Sequence, residues 1–336
     1  MPLRSKHFLA SLALASLAFA SCERDLTPEG PALTDLYGTF KVKTGLAGSR
    51  AQVNFANGES VYFTAETSIS TDFVLTITGQ TSGAVKRIEG KARTLDATNA
   101  LWQGETSQFP TFQTEMCDVM LTYPGYPDTL TAQVQVLGTR VAEATILDDF
   151  EGGMNPSWVK FIQTGANMQF TTQGAPPLAE GTSYYRMGGT VAWDWLIGMY
   201  EMPKTSMNGG AGFQLSNDAE SVFFNGVFRQ MAGLENGILL VQFREDDNGD
   251  GAYSEGNEDM WSVEIRPESV WALESYKYAD LITLVNGAAA TALGNGLHEP
   301  EKLHRVSFLF LANPSSGYAQ CDVDMLCFTE NAPLAL

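Results

Sequence analysis

The sequence predicts an all-β protein built as two β-sandwich domains, and three observations carry that expectation. Apolar residues recur at every second position in short runs, as at Phe73, Leu75 and Ile77 and at Leu130, Ala132, Val134 and Val136, the period of a strand with one buried face. Turn residues punctuate these runs, and no helical period is sustained beyond about two turns, the one candidate being a short helix around Tyr278 to Val285. With 44% apolar and 11% aromatic residues, the chain has the material for packed cores and is unlike a disordered acidic tail.

Taken in order, residues 1–21 begin with Arg4 and Lys6 and run through an apolar stretch from Phe8 to Phe19. That stretch is too short and too rich in small residues to stay in a bilayer, so it reads as a removed signal peptide. Its end, Phe19-Ala20-Ser21-Cys22, resembles the lipobox of bacterial lipoproteins. The resemblance implies cleavage before Cys22 and acylation of that residue, with several chains exceeding the two-signal threshold for stable anchoring. A membrane partner through the lipid anchor and a cell-envelope, outer-membrane location follow from it as expectations, with surface exposure compatible with Glu23 and Asp25. Residues 22–34 carry Pro, Gly and charge without periodicity and read as a tether.

Residues 35–143 form the first domain. Val53 and Phe55, then Asn57-Gly58, then Val61 and Phe63 read as a hairpin, because Asn-Gly tolerates the positive φ of a type I′ turn. About a hundred residues of short alternating strands resemble immunoglobulin-like modules, although no Cys-Trp-Cys arrangement is present and Trp102 is the domain's one tryptophan. A boundary falls between Gly138 and Ala144, and residues 144–332 form the second domain. Ile238 to Phe243, Trp261 to Ile265 and Val306 to Leu311 are strand-like by their β-branched and aromatic content. The domain opens on Asp148-Asp149-Phe150-Glu151 and closes on Asp322-Val323-Asp324-Met325-Leu326-Cys327-Phe328. This pairing resembles the jelly-roll, galactose-binding-like fold of many carbohydrate-binding modules. The resemblance implies that the first and last strands lie side by side, that the ligand is a glycan, and that Asp149, Glu151, Asp322 and Asp324 hold a structural calcium. Asp322 and Asp324 share a strand face by the period of two, as convergence requires.

Charge narrows the partners. Without residues 1–21 the chain holds 18 Lys plus Arg against 39 Asp plus Glu, a formal charge of −21. Such a surface repels phosphate backbones, which disfavours nucleic acid and leaves cations and neutral polar ligands as better partners. Apart from Cys22 the cysteines are Cys117, Cys321 and Cys327. The last two sit six apart in one extended strand, roughly 20 Å at ~3.3 Å per residue, so three buried thiols are expected and not a disulfide. Two histidines, His298 and His304, remain after residue 21, without the spacing of a zinc site.

Two further motifs suggest chemistry. Asp246-Asp247-Asn248-Gly249-Asp250-Gly251 places alternate oxygen side chains where they converge on a hard cation, with glycine allowing the sharp turn. Asp246, Asn248 and Asp250 are the expected calcium ligands, and Glu258 or Asp259 closes the shell; the twelfth position of an EF-hand loop is Asn257, and a strand precedes the loop. The alternative is a plain acidic turn. Trp193-Asp194-Trp195, with Tyr184-Tyr185-Arg186 just before it, offers rings that stack on a sugar and groups that hydrogen-bond to it. Trp193, Asp194, Trp195, Tyr184 and Arg186 are therefore the candidate glycan platform, the alternative being that the tryptophans are core. Trp158, Trp261 and Trp271 are assigned to core or loop packing.

Catalysis has little to recommend it. Some β-sandwich glucanases carry Glu-x-Asp-x-x-Glu on one strand, whereas Glu245 to Asp250 ends in Asp and is broken by turn residues. No nucleophile elbow, zincin helix or phosphate loop is present. The expected protein is a lipid-anchored, non-catalytic glycan binder with structural calcium, resembling surface glycan-binding lipoproteins beside outer-membrane uptake systems. The alternative is an adhesive or structural envelope component contacting a partner protein, and a weaker one a divergent polysaccharide hydrolase or lyase.

Overall fold

The structure is a computed structural model that describes residues 38–191, 195–234 and 236–335. Cys22, the signal and tether, Trp193 and Asp194 lie outside the described residues.

The first unit comprises β1 (Val42–Gly48), β2 (Gln52–Asn54), β3 (Val61–Gly79), β4 (Val85–Leu95), β5 (Leu101–Trp102), β6 (Met116–Thr122) and β7 (Thr129–Gly138). The sheet order is β1-β3-β6-β7-β2, with β4 and β5 also on β3. The 19-residue β3 organises the unit, since one edge passes from β1 to β6 while β4 runs along the other. Its alternation buries Val61, Phe63, Ala65, Phe73, Leu75 and Ile77. Trp102, fully buried, meets Phe55 and Phe112 edge-on, each at 4.7 Å between ring centres. The expected hairpin at Asn57-Gly58 does not form. After β2 the chain makes a 3-10 turn at Phe55–Asn57, and Gly58 takes the left-handed conformation (φ 73°) that makes glycine the right residue there. Burial of Phe55 against Trp102 draws β2 away from β3, and β2 instead pairs in parallel with β7 (Gln52 with Gln135, Val53 with Val136).

The second unit has two facing sheets. One has the order β10 (Asn167–Gln173), β11 (Tyr184–Thr190), β20 (Tyr318–Glu330), β13 (Val222–Arg229), β16 (Ala272–Lys277), with β8 (Thr145–Asp148) also on β20. The other runs β15 (Met260–Ile265), β14 (Gly237–Glu245), β19 (Leu303–Ala312), β12 (Leu196–Pro203), β9 (Val159–Ile162). The opening and closing strands are neighbours, with Asp148 opposite Leu326 and Ile146 opposite Cys327. Alternate residues of both sheets fill one core: Tyr185 and Met187, Phe224 and Phe228, Leu239, Val241 and Phe243, Val306, Phe308 and Phe310, Cys321 and Val323. Phe308 lies flat on Tyr200 at 4.7 Å. Burying such a ring is worth several kcal/mol, and truncating it typically costs ~3–5 kcal/mol.

Cys117, Cys321 and Cys327 are free and buried. Burial pushes the Cys117 and Cys327 thiols up to about 12, so both pack as small hydrophobes. The stretch from Tyr278 to Val285 is not a helix. A 3-10 turn at Tyr278–Asp280 leads into β17 (Leu284–Val285), which pairs with β18 (Ala288–Ala289). Two contacts override the helical pattern: Tyr278 is fully buried with its hydroxyl on Glu245 (2.9 Å), and Ile282 exchanges backbone bonds with Ser262 of β15 (2.7 and 3.3 Å).

The units touch through the loop before β11. Thr111 N donates to Ala179 O (2.9 Å) and Gln113 Nε2 to Gly181 O (2.6 Å).

Candidate functional site

Three neighbouring strands, β11, β20 and β13, turn one set of side chains to the core and the other outward. On β11 the inward residues are Tyr185 and Met187, so Tyr184 and Arg186 face out; on β20 Cys321 and Val323 face in, so Gln320 and Asp322 face out. Cross-strand register then brings Arg186 and, from β13, Arg229 on either side of Asp322. The Asp322 side chain is wholly buried and accepts from Arg186 Nε (2.7 Å) and Nη2 (2.9 Å) and from Arg229 Nη2 (2.5 Å). Gln320 Nε2 donates to both carboxylate oxygens (3.1 and 3.0 Å), and Tyr318 hydroxyl donates to Gln320 Oε1 (2.9 Å). The Tyr184 hydroxyl accepts from Arg186 Nη2 (2.9 Å). Trp271, just before β16, completes the arrangement. The Arg229 guanidinium lies over its ring at 4.7 Å, Tyr184 meets it edge-on at 5.2 Å, and its indole N–H donates to Pro177 O (3.1 Å).

This is a preorganised row of planar donors and rings. A two-point guanidinium–carboxylate contact fixes both geometry and charge. The bond to Asp322 is the main reason Arg186 is held above the ordinary arginine range. Arg186 (side chain 28% exposed) and Tyr318 (39% exposed) form the accessible rim, while Asp322 and Gln320 form the floor. A side chain at Gly188, in β11, would press on Gln320 and the Tyr318 hydroxyl, both 3.2 Å away, so glycine keeps room for them.

The quartet Asp149, Glu151, Asp322 and Asp324 is divided by the structure. Asp322 is committed to two guanidiniums, which already supply the positive charge that a cation would bring. Asp149 accepts from the Glu151 amide (3.1 Å), and Glu151 accepts from Thr182 N (2.8 Å), Thr182 Oγ1 (2.6 Å) and Ser183 N (2.9 Å). Asp324, fully buried, accepts from the Glu180 amide (3.2 Å) and the Met325 amide (2.9 Å). Burial, and then the neighbouring Glu180, push its carboxyl up to about 9. Burial and then Glu151 push Glu180 to about 7, and Glu180 Oε2 is buried with no partner among the described residues. The acids that crowd one another are thus Glu151, Glu180 and Asp324.

The acidic loop after β14 is closed by its own side chains. Asp246 accepts from the amides of Asp250 (3.0 Å) and Gly251 (2.9 Å), Asn248 from Asp250 N (2.8 Å), and Asp250 from Ala252 N (2.9 Å). Glu258 reaches back to Asn248 N (3.3 Å) and Ser254 N (2.6 Å). Gly249 (φ 74°) and Gly251 (φ 90°) supply the left-handed turns. The donor set is all oxygen, which suits a hard cation, but Lys204 Nζ also holds Asp246 Oδ2 at 3.2 Å. Glu245, Asp247 and Asp259 lie close enough that one ligand atom from each falls within 4.8 Å of the others. They receive Trp261 Nε1 and the Glu299 amide (Glu245), the Asp259 amide (Asp247), and the amides of Gly294 and Gly296 (Asp259). Burial pushes Glu245 up to about 7 despite these donors.

The expected platform is also split. Tyr184 is 2% exposed and belongs to the floor, Arg186 stands at the rim, and Trp195, 50% exposed, lies just before β12 of the other sheet. Arg229, Gln320, Tyr318 and Trp271 were not singled out by sequence as binding residues. The alternation of Gln320 with Asp322 was the available signal, whereas register between β11, β20 and β13 is not written locally.

No family profile matches the chain, and no curated protein matches it. Among solved structures it is similar to a family 11 carbohydrate-binding module of a cellulosomal cellulase from Clostridium thermocellum (14% identity, TM-score 0.38), covering 56% of this chain and 96% of that one. It is similar to SGBP-B from a complex xyloglucan utilization locus in Bacteroides uniformis (12% identity, TM-score 0.33), over 87% of this chain and 73% of that one. It is also similar to the CBM22-1 xylan-binding domain of Xyn10C from Paenibacillus barcinonensis (14% identity, TM-score 0.31), over 58% and 98%.

Proposed function

We propose that the second domain binds a glycan, without catalysis, on the outward face of β11, β20 and β13, and that the protein is held in the cell envelope by a lipid on Cys22. The observation that carries the reading is Asp322 clamping two guanidiniums beside Trp271 and Tyr184 on one sheet face. Aromatic rings offer stacking area at little entropy cost, and locked guanidiniums offer hydrogen bonds whose order is already established before a ligand arrives. Of the three carboxyls raised furthest, Asp324 and Glu245 are fully buried and out of a substrate's reach, and Glu180, partly buried, has Asp324 and Glu151 beside it in place of an open cleft, which supports a non-catalytic role. The parallel pairing of β2 with β7 supports an immunoglobulin-like reading of the first domain.

Calcium belongs to the same proposal. Asp246, Asn248, Asp250 and Glu258 would hold it in the loop, and Glu151, Glu180 and Asp324 are where a cation would relieve crowded charge. Its role there is structural, to tie loops together. A second reading, an adhesive face for a partner protein, is favoured by one observation: Val159 (53% exposed), Phe161 (42%) and Trp195 (50%) leave apolar surface around β9, an edge strand.

Affinity electrophoresis of the purified protein through a panel of neutral and acidic polysaccharides tests the glycan reading. Retardation by at least one polymer is expected, and Trp271→Ala should weaken it while Trp195→Ala leaves it intact. A folded protein retarded by none would overturn the reading, and release of reducing ends would replace it with an enzymatic one.

A further inference from the structure

The paired guanidiniums leave more hydrogen-bonding capacity than the protein itself uses. Asp322 is one carboxylate facing two cations, so one positive charge on this face has no counter-charge from it. Among the described residues, the one carboxylate in ion-pair contact with Arg186 is Asp322, and the same carboxylate is the contact of Arg229. Arg229 is the informative member, because its side chain is only 9% exposed. It spends Nη2 on Asp322 and on the Tyr184 hydroxyl (3.5 Å), while Nε and Nη1 have no hydrogen-bond partner among the described residues. Arg186 commits Nε and Nη2 and leaves Nη1 in the same condition. The rings of Trp271 (4.7 Å) and Tyr184 (5.5 Å) cover the face of the Arg229 guanidinium, but ring contacts do not take up in-plane N–H groups.

These N–H groups are not among the buried unpartnered atoms and so reach solvent, where two guanidiniums sharing one carboxylate present them, in fixed orientation, to an anionic acceptor. We infer that the glycan bound on this face carries carboxylate groups, a uronate docking on the free N–H groups of Arg229 and Arg186 while an adjoining sugar ring packs on Trp271. The inference rests on the glycan reading of this face and narrows its ligand class. Carboxylate is the matched acceptor, since the planar fork of a guanidinium accommodates two oxygens at once. A neutral hydroxyl would fill one N–H and leave the charge unpaired.

The charge of the rest of the domain acts in the opposite direction and does not decide the matter. Residues 144–336 hold nine Lys and Arg against twenty-five Asp and Glu, which disfavours approach of a polyanion from a distance. Beyond a Debye length of ~8 Å at physiological salt that repulsion is largely screened, whereas contact with the guanidiniums is not. Selectivity for a uronate is therefore local, and long basic tracts play no part in it.

The test compares each of three uronate polymers, polygalacturonate, alginate and glucuronoxylan, with its own methyl-esterified or carboxyl-reduced form, using the purified full-length protein. Backbone and linkage stay the same and only the carboxylate changes. At least one uronate should bind ~10-fold more tightly than its neutral form. Arg186→Gln should abolish that preference and Arg186→Lys restore part of it, with melting temperature recorded for both. The polymer comparison needs no variant, so it stands even where a substitution fails to fold. Equal binding of charged and neutral forms, or binding of neutral glycans alone, overturns the inference and leaves the glycan reading standing. Preference for a sulfated galactan over every uronate also overturns it, by assigning the donors to sulfate. Binding of no polymer of either kind removes the glycan reading itself.

Discussion

Replacing Asp322 by asparagine keeps the shape of the side chain and removes its charge. In the wild type the carboxylate receives Arg186 through two nitrogens, Arg229 through one and Gln320 through its amide, all between 2.5 and 3.1 Å. Every one of these is a donor, so the asparagine NH2 would face donors, and two guanidiniums would lose their counter-charge. Breaking a buried pair by removing one partner costs ~3–5 kcal/mol. Arg186, 28% exposed, can swing toward water and recover part of its solvation, whereas Arg229 at 9% cannot. The lower end, about 3 kcal/mol, is therefore expected. With ~2–4 °C per kcal/mol for a domain of this size, the melting temperature should fall by roughly 6–12 °C. Urea titration should show a lower midpoint with an unchanged slope, the signature of lost stability in place of a changed unfolded state. Adding Arg229→Met removes the stranded charge and should recover about half the loss, because contacting residues couple non-additively. The loss relative to wild type should be the same in millimolar calcium and in chelator, since guanidiniums and not a metal neutralise this carboxylate. A loss under ~1 kcal/mol, a double variant no more stable than the single one, or a loss seen only when calcium is present would each refute the reasoning.

In chelator, stability should be greatest near pH 5 and decline toward pH 9. Asp324 is raised to about 9 and Glu180 and Glu245 to about 7, so between the unfolded values near 4 and these the folded state binds more protons, and stability is lost as pH rises. Carboxyls held low, such as Glu201 with its Ser307 and Arg244 bonds winning over burial, act with the opposite sign and lose their contribution below about pH 4; a melting temperature flat from pH 5 to 8.5 would contradict the burial of the first group. Millimolar calcium should raise the melting temperature by mass action, ~2.7 kcal/mol at one hundred times the dissociation constant, and Asp246→Ala with Asp250→Ala should remove the loop's share while Glu180→Gln removes that of the other cluster. Cys22→Ser should move the protein out of the detergent phase, and unchanged fractionation would end the anchoring proposal.

The all-β class was legible because alternation is a local property. Phe73, Leu75 and Ile77 are buried in β3 as their period demands, and Cys321 and Val323 face the core of β20 while Gln320 and Asp322 face away. Neighbour relations were less legible, because which strand lies beside which depends on contacts far apart in sequence. Asn57-Gly58 does make a turn, yet β2 joins β7 in place of β3, since Phe55 finds its cover on Trp102 some fifty residues away. Tyr278 to Val285 has helix-compatible spacing, but a fully buried tyrosine bonded to Glu245 fixes the chain in a 3-10 turn before any helix can propagate.

The same division explains the candidate site. Sequence named Arg186, Tyr184 and Asp322 but placed them in two different sites, a sugar platform and a calcium quartet, because it had no means of seeing that β11 and β20 are adjacent. Once they are, Arg186 lies opposite Asp322 by register, and the two roles exclude each other. A carboxylate already sharing its oxygens among two guanidiniums and an amide has little left for a calcium ion, and an arginine held by that carboxylate is stiffer than a free one. The bond that takes Asp322 out of the expected calcium quartet also orders the donors of Arg186 and Arg229, so that a ligand of the proposed kind would meet them with the ordering entropy already spent in folding. Asp324, two residues on, takes the opposite course. The bulge at Met325 (φ 45°) leaves it beside Glu180 with no cationic partner among the described residues, so that protonation is what relieves the charge there. Neighbouring aspartates of one strand therefore take different courses, Asp322 ordering two guanidiniums on the outward face and Asp324 making the domain's stability depend on pH.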